Sequence, residues 1–210
     1  MITRFRPAQT LSRAAIEAGA HAVWVMDATT PRECARRHLC LVCDDLTEQR
    51  KAALPADKAA IVDRQRTMLD RLSGGITEEE IGRFPGYMAI VKAAAITANQ
   101  KGLNAPELND ADKIERLWRA SAGSAHGKRW PAFTLQTVVK GPSVAPHTFA
   151  TTQIPDPVAI TRILQLADAI VRYGVLRFAT FAGYTPQLAE MIVGAKARLH
   201  KFLSATGTAV

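Results

Sequence analysis

The sequence predicts a mainly α fold: an up-and-down bundle of four to five long helices with a small β-hairpin or loop insertion at residues 132–157. Three observations carry that prediction. Hydrophobic residues make up 48% of the chain but aromatics only 6%, so the core material is alanine and aliphatic side chains, which suits closely packed helices better than a β-sandwich. Proline, glycine and capping residues cut the chain into pieces of helical length. Strand-like alternation is confined to Phe133–Val139 and a second short run at Phe149–Ile154. At 210 residues a single domain spanning 1–210 is the default, with 204–210 as a flexible tail.

Residues 1–9 read as a mobile arm carrying Arg4 and Arg6, and Thr10 or Ser12 as the cap of a helix reaching about Asp27. Its expected buried face is Leu11, Ala14, Ala15, Ala18, Ala22, Val25 and Met26, while Arg13, Glu17 and His21 repeat every four residues on another side. Thr30-Pro31-Arg32-Glu33 is a helix start, with a cap, a proline at the first helical position and a capping-box glutamate; this helix should end near Leu54. Asp57 opens a third helix to about Ser73, closed by Gly74-Gly75. Thr77–Glu80 has the form of a first helical turn with carboxylates at its positive end.

After Pro85-Gly86, a helix is expected over Tyr87–Gln100, ending at Gly102, and Asn109 or Asp110 caps the next one. Pro155-Asp156-Pro157 starts the longest helix, to about Phe181, with a core stripe of Ile160, Ile163, Leu164, Ala167, Ile170, Val171 and Leu176, extended by Val175 and Phe178. A closing helix is expected over Pro186–Leu203.

The net charge of +8 is spread out, with 12 basic and 9 acidic side chains in residues 1–76 and 7 against 3 in residues 140–210. A basic chain of this kind fits RNA or nucleotide partners. Val158–Gly183, the longest apolar stretch, is interrupted by Arg162, Asp168, Arg172 and Arg177, so it reads as a soluble helix and no membrane partner is expected. Three cysteines and no signal peptide point to a reducing cytoplasm. Cys40-x-x-Cys43 lacks the second pair a structural zinc site requires, so buried thiols, no bound zinc and no cofactor are expected.

The chemistry concentrates in Ile114–Pro131, IERLWRASAGSAHGKRWP. Ile114, Leu117, Trp118, Ser121 and Ala125 share one helix face, and Arg119 and His126, two turns apart, align beside it. Six small residues, Ala120–Ala125, let another backbone approach closely, and the first helix should pack here through Ala14, Ala18 and Ala22 against Ser121, Ala122 and Ala125. Gly127 and Pro131 stop the helix, placing His126 at its C-terminus, where the helix dipole favours the protonated ring. Residues 132–157 are placed to cover a site made by His126 and Trp130.

Arg119, six residues, then His126 resembles the R-x4-6-H pattern of the HEPN families, and Trp118–Trp130, WRASAGSAHGKRW, with Leu11–Asp27, LSRAAIEAGAHAVWVMD, resembles uncharacterised bacterial helical families with an S-x4-HG signature. Ala120 departs from the polar residue that usually follows the HEPN arginine. The resemblance implies an all-helical homodimer whose interface includes Arg119–Trp130, and metal-independent cleavage or binding of RNA or nucleotides. Arg119 would hold the scissile phosphate and His126 act as acid or base. Ser121 or Ser124 would add a hydrogen bond, Lys128 and Arg129 attract the backbone, Trp130 stack on a base, and Glu17 orient a cation. The alternative is a non-catalytic interaction or regulatory protein in which Arg119 forms a structural ion pair with an acidic residue such as Glu17.

Overall fold

The computed structural model describes residues 6–72, 75–103, 109–128, 130–184 and, of the expected closing helix, 190, 191, 194, 195, 197 and 198. The six described residues of that helix are all helical. Arg4, Gly74, Arg129 and the tail 204–210 lie outside the described residues.

The described chain is mainly helical with one small antiparallel sheet: α1 (Arg6–Met26), α2 (Pro31–Ala52), a 3-10 turn (Pro55–Asp57), α3 (Lys58–Leu72), α4 (Glu78–Ile81), α5 (Tyr87–Ala98), a π turn (Asn99–Leu103), α6 (Ala111–Ala125), α7 (Trp130–Leu135), β1 (Gln136–Ala145), β2 (Thr148–Pro155) and α8 (Pro157–Phe181). The central core is drawn from α1, α5, α6, α7 and α8, with Ile16, Ile90, Ile114, Leu135, Ile163 and Ile170 fully or almost fully enclosed. A second, smaller cluster of Leu39, Cys40, Ile76 and Ile81 holds α2 and α4 together, with Met68 and Leu69 of α3 beside it.

The caps follow the local chemistry. Thr30 Oγ1 accepts from Glu33 N at 3.1 Å with Pro31 at the first position. The Glu33 carboxylate turns forward onto Arg36 and Arg37 instead of back to the cap; the Arg36 hydrogen bond, opposed by partial burial, holds its pKa down to about 2. Thr77 and Glu80 form a reciprocal capping box, and Arg32 reaches across from α2 to Glu80 at 2.8 Å. Asp110 caps α6 and Asp156 caps α8. Asp57 does not open α3; it closes the 3-10 turn that precedes it.

Other expectations need correction too. Helix α1 runs from Arg6 to Met26, so Thr10 and Ser12 lie inside it and residues 6–9 of the expected arm are helical. Its buried face is Ser12, Ile16, Ala20, Val23 and Met26, while Leu11 is 71% exposed. Ile16 and Val23, seven residues apart, set the phase that a stripe counted mostly in alanines misplaces. In α8, Leu164, Val171, Val175, Leu176 and Phe178 are exposed, and Leu166, Ala169, Tyr173 and Gly174 are buried instead. That helix is apolar most of the way round, and it comes closest to α1 at Gly19, where an added Cβ would lie 3.1 Å from Ile170 Cγ2 and 3.3 Å from Val171 Cα. Val171, Val175 and Phe178 line an apolar groove of about 630 Å³ with Ala15, Ala18 and Ala22.

The helix expected to end at Gly102 continues as the π turn through Leu103. The strand expected from Phe133 begins at Gln136, because Trp130–Leu135 forms α7. From there β1 and β2 pair antiparallel from Gln136↔Pro155 to Ala145↔Thr148, with irregularities at Gly141-Pro142 and near Val144, and turn at Pro146-His147, where His147 has φ 59°.

Candidate functional site at the crossing of α1 and α6

Helix α6 ends as its sequence dictates. His126 is the C-cap and Gly127, at φ 69°, takes the left-handed position. Lys128 N donates to Gly123 O at 2.8 Å and Gly127 N to Ser124 O at 3.1 Å, the two bonds of a Schellman motif.

The closed helix end presents His126 to α1. Arg13 Nη1 lies 3.0 Å from His126 Nε2. A guanidinium has only donors, so this contact uses Nε2 as acceptor and leaves the ring proton on Nδ1. The protonated ring expected from the helix dipole is therefore not the form that makes this contact. Arg13 is held from its other side, where Nε donates to Glu17 Oε1 at 2.7 Å. The same oxygen accepts from Trp118 Nε1 at 3.0 Å, and the Arg13 guanidinium carbon sits 5.7 Å from the Trp118 ring centroid. Arg13, Glu17, Trp118 and His126 thus form one connected group, with Arg13 and Glu17 mostly covered and His126 exposed.

Arg119 belongs to a different network. Its Nε donates to Glu115 Oε1 at 2.7 Å, and Glu115 Oε2 accepts from Lys92 Nζ of α5 at 2.8 Å. The hydrogen bonds from Lys92 and then Arg119 hold the Glu115 carboxyl below its usual pKa. Helical side chains lean toward the N-terminus, so Arg119 is drawn one turn back to Glu115. His126 stands about two turns the other way, beyond the last helical residue, with φ −87° and ψ 12°.

The remaining candidates are distributed as follows. Ser121 is fully buried and its Oγ bonds back to Leu117 O at 3.1 Å; Ser124 is buried as well. Lys128 is exposed and Trp130 is 43% exposed. Glu17 accepts from Arg13, which lies against His126, and not from Arg119. The small residues of α6 receive the chain's own α7: a Cβ on Gly123 would lie 2.7 Å from Pro131 Cγ and 3.2 Å from Trp130 ring atoms. Helices α1 and α6 do pack together, but through Arg13, Glu17, Trp118 and His126; Ala14, Ala18 and Ala125 are exposed. The residue that sequence reasoning missed is Arg13, whose only signal was its four-residue spacing from Glu17.

His21, one turn further along α1, packs against Tyr87 with ring centroids 5.3 Å apart and against the edge of Phe84 at 6.2 Å. Its Nε2 is buried without a hydrogen bond. Burial lowers its pKa, against the raising influence of Glu17 and Asp44. A lowered folded pKa means that the unfolded chain binds the proton first, so this contribution is intact above the unfolded value near 6.5 and is lost as pH falls toward the folded value. Thermal melts from pH 8 to pH 5 should show a falling midpoint, and His21→Phe should flatten that fall; an equally steep fall in the variant would remove His21 as its source.

Cys34, Cys40 and Cys43 are free thiols, and burial pushes those of Cys40 and Cys43 up. Among the described residues no group of three or more His, Cys, Asp or Glu could hold a metal ion, and no helix is long and apolar enough to cross a membrane. Compared with family models, curated proteins and solved structures, the chain has no match.

Proposed function

We propose that the chain is an RNA- or nucleotide-binding domain whose working pair is Arg13 and His126. The observation that carries this reading is the 3.0 Å contact between the two side chains at an exposed helix end. Glu17 and Trp118 back the pair, and Lys128 and Trp130 stand exposed beside it. An incoming phosphate divides such a pair. Its oxygens take the guanidinium in charge-assisted hydrogen bonds, and His126 Nε2 is released as a proton acceptor.

A ribonuclease version keeps for His126 the role that the HEPN resemblance implies and gives the phosphate to Arg13 in place of Arg119. His126 Nε2 takes the proton of a ribose 2′-hydroxyl, that oxygen attacks the adjacent phosphorus, and the 5′ oxygen leaves with a proton from water. Arg13 stabilises the added negative charge on the phosphoryl oxygens. Arg119 takes no part in this step: it pairs with Glu115 within α6, and it is Glu115 that joins α6 to Lys92 of α5. The same resemblance supports an up-and-down bundle built on the long helices and a homodimer whose interface includes the exposed residues of the Arg119–Trp130 region, since Ala120–Ser124 are buried within the chain, while the three free thiols fit a cytoplasmic setting.

A second reading, a non-catalytic interaction or regulatory protein, is favoured by the Arg119–Glu115 ion pair, which satisfies Arg119 within one chain. Incubating the protein with mixed RNA in EDTA, beside His126→Ala, decides between them. Cleavage by the wild type that falls about 10²- to 10⁴-fold in the variant is expected for the ribonuclease version. Retention without cleavage leaves the binding reading standing, and neither binding nor cleavage moves the chain to the second reading.

A further inference from the structure

We propose that the β1–β2 hairpin is a contact surface for single-stranded RNA, continuous with the site at His126. This inference rests on the RNA reading above and extends it to a part of the chain that the reading does not use.

The hairpin is built to be covered, yet among the described residues little covers it. Outside its own two strands its main contact is with α7. Val138, Val139, Val144, Phe149 and Ile154 are all exposed, and they lie on both faces of the ribbon. A two-stranded hairpin is marginal in water without such cover.

Charge indicates what covers it. Residues 116–155 contain Arg116, Arg119, Lys128, Arg129 and Lys140, together with His126 and His147, and not one Asp or Glu. Among the described residues Arg116, Lys128 and Lys140 form no ion pair. An acid-free run of forty residues with unspent cations is complementary to a polyanion.

The ribbon also offers a stacking platform. Lys140 Nζ lies 3.3 Å from the centroid of the Phe149 ring, a diagonal neighbour on the same face, and the ring remains 40% exposed. A base stacking on the free part of that ring leaves Lys140 beside its phosphate, which suits single strands, whose bases are unpaired. The path is short: α7 seats Pro131 and Trp130 on Gly123, three residues before His126, and β1 follows α7 directly.

Fluorescence anisotropy with a labelled single-stranded RNA oligonucleotide tests this on the full chain, using Lys140→Ala and Phe149→Ala together and circular dichroism to verify the helical body. About tenfold weaker binding is expected, with the slope of log affinity against log salt reduced by about 1. A wild type that does not bind RNA overturns the functional reading and this inference with it. Unchanged RNA affinity in the double variant overturns this inference alone, and loss of binding to anionic vesicles or of a dimeric mass in that case reassigns the ribbon to a membrane surface or a second copy.

Discussion

Replacing Gly123 with valine should lower stability by roughly 3 kcal/mol, the upper end of the ordinary cost of overpacking a filled site. An added Cβ there would sit 2.7 Å from Pro131 Cγ and 3.2 Å from two ring atoms of Trp130. The proline ring cannot rotate away, so α7 must move as a unit. Alanine is a weaker test, because the helix propensity it gains, about 1 kcal/mol, offsets part of the clash. Valine adds two methyl groups beyond alanine and recovers less of that propensity. Gly127→Ala serves as the contrast. Nothing lies within 4 Å of that position, and only its φ of 69° resists a side chain, a cost of about 1 kcal/mol. Urea unfolding with unchanged slope should show the larger midpoint drop for Gly123→Val, accompanied by a red shift of tryptophan emission as Trp130 is freed. Equal midpoints for the two variants would mean that α7 is not seated on Gly123.

Arg13→Ala should weaken RNA binding tenfold to a hundredfold. It removes a hydrogen-bonding charge aimed at the ligand, and such bonds are worth about 1.5–3 kcal/mol. Among the described residues it also leaves Glu17 with Trp118 as its one remaining hydrogen-bond partner, so a carboxylate without its cation would face the incoming phosphate. Arg119→Ala should stay within about twofold, since Arg119 is 59% exposed and its pairing with Glu115 is of the kind that contributes little. Titration of both variants with the same oligonucleotide compares them directly. A larger loss for Arg119→Ala would return the phosphate-binding role to Arg119.

What was legible in the sequence was mostly local. Thr30, Thr77, Asp110, Asp156 and Gly127 act within a few residues of themselves, and each stands where its chemistry places it. The hairpin was legible from its alternation, although Phe133-Thr134-Leu135 alternates equally well and belongs to α7. Helix phase was harder. Ala14, Ala18 and Ala22 fit an apolar stripe, but burying alanine contributes little, and the enclosed Ile16 and Val23 decide which way α1 faces. The tertiary pairing was not legible at all. Arg13 and His126 are 113 residues apart, and nothing within either segment indicates that one donates to the other. The seven-residue spacing of Arg119 and His126 was visible, but a shared stripe does not bring together side chains two turns apart when Glu115 lies closer to one of them.

The most direct test of the Arg13–His126 pair as the working unit is a double-mutant cycle on RNA affinity, made with Arg13→Ala and His126→Ala and repeated with Arg119→Ala in place of Arg13→Ala. Residues that act on one ligand through a shared contact should couple by about 1 kcal/mol or more, and independent residues should add within about 0.5 kcal/mol. Coupling between Arg13 and His126, with additivity between Arg119 and His126, is the predicted result. Additivity between Arg13 and His126 would contradict it.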